Sequence, residues 1–264
     1  MEDKSRPYWS TSPLYGWGHL ESLAVGDSHY WGVFAGLYDI EVYNTHFGKF
    51  NSEFGMQGMP SMNSIKKFSL PEDWSLDSSV MLTHERHPSQ YGNIMHYVDL
   101  YYQSPATFEF TTYVCQAMQS YAMKTAFESH RRNKPRSMGT LMWQLNDVWP
   151  VTSWSGVDFY GTWKAVHFQS KRLFGDIFIS AYQNDDNHIS IYVVSEKNFD
   201  LTGDLTIKVL SFEGTVLFEK VLSNLSVLDN DSKKVFSINT DSDLSGVDQT
   251  SSVIYMSFLS HHDQ

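Results

Sequence analysis

Lys49-Phe50-Asn51-Ser52-Glu53-Phe54-Gly55-Met56-Gln57-Gly58-Met59-Pro60-Ser61 places one acidic side chain where a strand ends and a Gly-rich loop begins. On an extended segment Phe50 and Ser52 face one way and Asn51 and Glu53 the other, because strand side chains alternate. Gly55, Gly58 and Pro60 then stop any regular element. A carboxylate at a strand end, followed by a loop that can approach a ligand closely, is where α/β barrels keep catalytic groups. Taken alone, a Glu before a Gly reads as a solvated loop residue, so the surrounding chain has to decide.

On the N-terminal side, Arg6-Pro7-Tyr8-Trp9-Ser10-Thr11-Ser12-Pro13 is a bent, Pro-bounded aromatic segment. Gly26-Asp27-Ser28-His29-Tyr30-Trp31-Gly32 sets an acid, a His and two rings between glycines, either as a ligand-binding group or as a core pair of His29 and Trp31 under a loop. Phe47 to Phe54 reads as a strand, and Ile65 to Met81 as loop. His84-Glu85-Arg86-His87 spaces its histidines by three rather than the four of the helical zinc motif, with Pro88 at once behind, and reads as no metal site. Tyr91–Tyr102 and Phe108–Asn133 read as helices. In the second, Phe110, Tyr113, Val114, Ala117, Met118, Tyr121, Ala122 and Phe127 recur at spacings of three and four and predict one apolar face. Met138 to Leu145 is a short apolar run suited to a buried strand, and helix followed by buried strand fits one βα repeat of a parallel structure. It leads into Trp143-Gln144-Leu145-Asn146-Asp147-Val148-Trp149-Pro150, a second polar and aromatic strand end. Tyr160 to Phe174 reads as a helix.

After Gly175 the texture changes. Ile177–Tyr182, His188–Ser195, Leu205–Phe212, Val216–Leu222, Lys233–Ile238 and Ser252–Leu259 are short, several of them alternating or β-branched, and separated by Asn, Asp and Gly. Glu213-Gly214 suggests a tight hairpin. These segments predict an antiparallel, immunoglobulin-like sandwich over residues 176–264, behind an α/β part over residues 1–175.

Composition narrows the function classes. The 264 residues have room for one large domain or two ordinary ones. The aromatic share is 15%, with 8 Trp, 15 Tyr and 17 Phe. Most of these rings belong to cores, but flat rings beside polar groups also suit sugar sites. A formal charge of −11 argues against nucleic acid or an anionic membrane as partner. The one basic cluster, Arg131-Arg132-Asn133-Lys134-Pro135-Arg136, falls where a helix ends and is accounted for by placement at its C-terminus. Cys115 is the single cysteine and sits on the apolar helix face, as a buried structural thiol. No motif calls for a metal or a cofactor. No apolar run is long enough to cross a bilayer and the first residues carry no signal-peptide stretch; the compartment stays open, extracytoplasmic and lysosomal locations included.

Ser52-Glu53-Phe54-Gly55-Met56-Gln57 with Pro60-Ser61, Trp143 to Pro150, and Arg6 to Pro13 together resemble the β-mannosidase branch of family 2 glycoside hydrolases. The likeness covers roughly the first two-thirds of the chain. It implies the C-terminal part of a (β/α)8 TIM barrel followed by a sandwich, within a retaining exo-glycosidase acting on terminal β-mannose. It implies Glu53 as nucleophile at the end of the seventh strand and Trp143, at the end of the eighth, as a wall of the sugar pocket. Trp31 would stack on the sugar; His29, Tyr30, Asn51 and Gln57 are candidate donors to Glu53; Asn146 would bond hydroxyls and Asp147 brace its loop. The family's acid/base Glu follows an Asn, whereas Glu2, Glu21 and Glu41, the glutamates ahead of Glu53, do not. The acid/base is therefore absent, the earlier strands of a barrel of about 250 residues are missing, and the chain reads as an inactive C-terminal piece whose partners are a mannose-containing oligosaccharide and the N-terminal part of the same protein. Exo-β-glucosaminidase or β-galactosidase specificity, a non-catalytic carbohydrate-binding module, and an interaction piece offering an exposed barrel edge are the alternatives.

Overall fold

The computed structural model describes residues 3, 5–6, 8–183 and 187–261; Pro7 of the opening aromatic segment lies outside them. The chain forms two compact units, Met1–His130 with Arg136–Leu173, and Arg131–Pro135 with Phe174–Gln264.

In the first unit, strand β1 (Ser28–His29) pairs in parallel with β2 (Asn51–Glu53). Residues 138–143 run along the other side of β2 in the same sense: Asn51 N donates to Gly139 O at 2.9 Å, Leu141 N to Asn51 O at 2.8 Å and Trp143 N to Phe54 O at 2.9 Å. Three parallel runs therefore lie side by side with β2 in the middle. Both expected strands are shorter than their apolar patterns. Only Asn51–Glu53 of 47–54 is regular, and the 138–145 run meets β2 through an isolated bridge at Thr140. A (β/α)8 barrel is not evident among the described residues.

The stretch expected to be loop, Ile65 to Met81, is flanked by two single turns, α1 (Met62–Ile65) at its start and α2 (Ser79–Thr83) across its end, the latter capped by the Ser78 hydroxyl, which accepts from Met81 N at 3.1 Å. Helices α3 (Gly92–Tyr101) and α4 (Phe108–Arg132) lie where the periodicity puts them. Helix α4 starts on Thr107, whose hydroxyl accepts from Phe110 N, and carries a Lys124–Glu128 ion pair one turn apart. Its buried face is rotated from the expected one. Val114, Cys115, Met118, Ala122, Met123, Ala126 and Phe127 are buried, while Phe110, Tyr113 and Tyr121 are exposed. Aromatic residues fit a half-exposed helix face as readily as a core, and small Ala and Cys allow close packing. Burial pushes the Cys115 thiol up to about 12, which keeps it protonated. Helix α5 (Ala165–Leu173) starts later than expected. Asp158 accepts from Tyr160 N and Thr162 N, tying the preceding residues into a turn.

Among the described residues the second unit is a sandwich of six strands: β3 (Ile177–Gln183), β4 (His188–Ser195), β5 (Leu201–Ser211), β6 (Val216–Val227), β7 (Ser232–Asn239) and β8 (Ser252–Ser260). They form two antiparallel sheets ordered β3-β4-β7 and β6-β5-β8. Leu201, Leu205, Ile207 and Val209 of one sheet share a core with Ile189, Ile191, Val193 and Ile238 of the other, as strict alternation along β5 requires. Gly214 turns the β5–β6 hairpin with φ +90. The basic cluster does more than cap a helix. Arg131 lies over the Phe178 ring at 5.1 Å and Arg132 over Tyr182 at 4.9 Å, and Arg132 Nη1 donates to Ser180 Oγ at 2.7 Å. Arg131 and Lys134 both pair with Glu196.

Candidate active site

Glu53 ends β2 with its neighbours held from both sides. Phe54 packs edge-on against Phe127 and His130 of α4, at 5.5 and 4.8 Å between ring centres, which anchors the strand end. The Glu53 side chain is part-buried, 23% exposed. Trp31 Nε1 donates to its Oε1 at 2.8 Å, and His29 Nδ1 lies 3.4 Å from its Oε2. His29 reaches it because β1 pairs with β2 through Tyr30 N, which donates to Glu53 O at 3.0 Å. On the far side of the imidazole, Asp27 Oδ2 lies 3.7 Å from Nε2. Strand alternation assigns Ser52 to the face opposite Glu53, yet Ser52 Oγ donates to the same Asp27 oxygen at 2.5 Å. The register shift between Ser28 and His29 lets one step of β1 face two of β2, and so brings both side chains to one cluster.

Gly55 brings the second strand end in. A Cβ there would stand 2.3 Å from Trp143 O, 3.1 Å from Trp154 and 3.2 Å from Trp31, so this close approach requires glycine. Trp31 and Trp154 meet edge to face at 6.0 Å, and Trp154 also contacts Phe34 and His87. The Trp143 side chain is half exposed, and the Trp143–Gln144 peptide is cis. Glu53, His29, Trp31 and the backbone of Trp143 are thus gathered together.

Other expected site residues have different work. The Tyr30 ring is buried, stacked on His46 at 5.6 Å; burial pushes its phenol up to about 12, and only its backbone N–H serves Glu53. Asn51 is buried in the ladder, its Oδ1 accepting from Gly48 N and its Nδ2 donating to Ser137 Oγ and Gly139 O. Gln57 Nε2 donates to Glu85 Oε1 at 2.8 Å. Asn146 is exposed. Asp147 is buried, accepting from Ser153 and Ser155 hydroxyls at 2.6 Å each and from Gln144 Nε2 at 3.2 Å.

Thirty per cent of residues are identical to the crystal structure of a β-D-mannosidase from Dictyoglomus thermophilum, with a TM-score of 0.90 over 100% of this chain and 32% of that one. The β-mannosidase of Rattus norvegicus is 30% identical over 230 residues, 79% of this chain and 26% of the relative. The chain belongs with the β-mannosidases of glycoside hydrolase family 2. The Mannosidase Ig/CBM-like domain model matches residues 187–264 of this β-mannosidase-like chain, within the sandwich. An exo-chitosanase from Amycolatopsis orientalis, at 19% identity and a TM-score of 0.65 over 85% of this chain and 30% of that one, shares the fold. The chain spans about a quarter of the length of the curated β-mannosidases it matches.

Several residues that shape the site carry no motif of their own. Gln119 of α4 donates to the carbonyls of Met56 and Trp154, and buried Lys164 donates to those of Gly58 at 2.8 Å and Ser153 at 3.2 Å, so both loops hang from common anchors. Burial lowers the Lys164 ammonium to about 8 against the opposing pull of Asp147 and Asp158. Neither Gln119 nor Lys164 carries a local sign of this work, because the burial of each arises only in the fold. Asp27 stood in a recognised cluster, but its tie to Ser52 spans 25 residues and has no local sign.

Proposed function

We propose that this chain carries the nucleophile of a retaining exo-β-mannosidase that removes terminal non-reducing β-D-mannose. The observation that carries it is the Glu53 carboxylate, at the end of a parallel strand, with one oxygen held by Trp31 and the other facing His29. In such an enzyme one carboxylate attacks the anomeric carbon, and a second, about 5 Å away, protonates the departing oxygen and later activates water. The attacking group has to be ionised, and donors fixed at its oxygens favour that form. The resulting intermediate is a mannosyl ester of Glu53. Trp31 and Trp143 supply the rings that shield it, and the buried Asp147 braces the loop bearing Trp143.

The acid/base partner is assigned to a part of the polypeptide beyond this chain. Glu41, ahead of Glu53, accepts from the hydroxyls of Tyr101 and Tyr121. Residues 1–175 are read as the last repeats of a (β/α)8 barrel, on the support of the three parallel runs with α4 between the second and third, and residues 176–264 as the sandwich that follows. By itself the chain then gives no significant turnover of an aryl β-mannoside.

The test uses the complete polypeptide and a 2-fluoro-mannosyl fluoride inactivator, with digestion and mass spectrometry. Label on the peptide containing Glu53 is expected. An active enzyme labelled elsewhere, or robust turnover by the 264-residue chain alone, would overturn the assignment. Comparison of aryl mannosides, glucosaminides and galactosides fixes the sugar.

A further inference from the structure

Both ring nitrogens of His29 face oxygen. Nδ1 lies 3.4 Å from Glu53 Oε2, and Nε2 lies 3.7 Å from Asp27 Oδ2 and 3.4 Å from Ser12 Oγ. Which of these oxygens has a proton to give follows from their other bonds. The Ser12 and Ser52 hydroxyls each donate to Asp27 Oδ2 at 2.5 Å. An oxygen that receives two hydroxyl protons is an acceptor, as in an ionised carboxylate. Burial works against that charge, but the bonds from Ser12 and Ser52 and the neighbouring His29 outweigh it, so the Asp27 carboxyl is held below its ordinary range. Ser12 has thereby committed its one proton and can only accept from His29. On the other side, Glu53 Oε1 already accepts from the Trp31 indole, which is a donor only.

A neutral imidazole has one N–H and one bare nitrogen. In either tautomer it would set that bare nitrogen against an acceptor, at Asp27 and Ser12 or at Glu53. We propose that His29 is an imidazolium clamped between the Asp27 and Glu53 carboxylates, and that Asp27, fixed by Ser12 and Ser52, is the positioning residue that keeps it there. The proposal rests on Glu53 being the ionised nucleophile; if Glu53 were a carboxylic acid, its own proton would serve Nδ1. The consequence for the proposed reaction is direct. A positive charge beside Oε2 favours the attacking carboxylate, and favours it again when that carboxylate leaves the glycosyl ester. Asp27 supplies the compensating charge, so that the imidazolium is not left against Glu53 alone.

The test needs no turnover. In the complete polypeptide labelled with 15N-histidine, His29 is assigned by the signal that disappears in His29→Gln, and its two nitrogens are read at neutral pH. Both are expected at protonated shifts, each with a directly bonded hydrogen; one nitrogen at the bare, pyridine-like shift would overturn the proposal. In Asp27→Asn one nitrogen is expected to move to the bare position, and if both stay protonated Asp27 has no such role. Should Asp27→Asn fail to fold, the wild-type spectrum still decides the charge of His29. Failure here is distinguishable from failure of the glycosidase reading, because an enzyme with a neutral His29 would still be labelled on Glu53, whereas a mistaken nucleophile would not.

Discussion

Glu85→Gln should stabilise the first unit, and only above the pH at which Glu85 ionises. Glu85 is buried, its Oε1 accepting from Gln57 Nε2 at 2.8 Å and its Oε2 from His87 N at 2.7 Å. Burial raises its carboxyl from 4.5 to about 7, against the bonds from Gln57, His87 and Arg86. In the unfolded chain the proton leaves near 4.5, so between 4.5 and about 7 the folded state binds more protons and stability falls as pH rises. At about 1.4 kcal/mol per tenfold change in proton affinity, the rise from 4.5 to about 7 costs about 3 kcal/mol once Glu85 is ionised. A glutamine keeps the shape without the charge. Its oxygen takes the His87 N–H, and its amide meets Gln57 Oε1, which is buried without a partner among the described residues, after Gln57 turns over. All 8 tryptophans lie in the first unit, so urea unfolding followed by tryptophan fluorescence reads that unit alone. The variant should match the wild type near pH 4 and exceed it by about 3 kcal/mol near pH 8. An equal offset at both pH values would mean that the charge of Glu85 is not what destabilises the fold.

Gly55→Ala drives a methyl group into the Trp143 carbonyl, 2.3 Å away. It should cost about 1–3 kcal/mol and displace Trp31 from Glu53, seen as a changed near-UV circular dichroism of the tryptophans. Lys164, lowered from 10.5 to about 8 by burial, is more protonated in the unfolded chain between those values. First-unit stability should therefore rise from pH 8 toward 10, and Lys164→Met should abolish that rise in fluorescence-monitored unfolding. Buried tyrosines such as Tyr91, raised by burial, reverse the slope above about 10. Arg132→Ala removes the bond to Ser180 and the stacking on Tyr182. It should lower sandwich stability by about 2 kcal/mol, measured by far-UV circular dichroism, with the tryptophan-monitored transition unmoved.

The sandwich was legible because its signal is local. Alternation along Leu205, Ile207 and Val209 faces one side of a strand whatever lies opposite, and Glu213-Gly214 marks its own turn, although β5 starts at Leu201, four residues ahead of the expected strand. The same holds for the length of α4, whose 3.6-residue period needs no partner to be seen. Which side of α4 is buried was harder to read. Three exposed rings and three small buried residues differ in shape more than in hydropathy, so the neighbours chose between them.

Residue order alone is enough to put Glu53 at the close of a strand ahead of a close-approach loop, and Trp31 and His29 in one short polar-aromatic cluster. Spacing could not assign partners among residues far apart in the chain. Gln57 and Asn51 carry the same amide chemistry as any donor to Glu53, yet Gln57 serves Glu85, 28 residues away, and Asn51 serves Ser137, 86 residues away. Tyr30, just past the end of β1, turns its ring into the core, where it stacks on His46. Only the tertiary structure joined Asp27, Ser12, Ser52, His29 and Glu53. Hydrogen bonds and charge pairing act over about 3 Å; the parallel pairing of β1 with β2 brings His29 to Glu53, and the Ser12 and Ser52 hydroxyls on Asp27 complete the cluster.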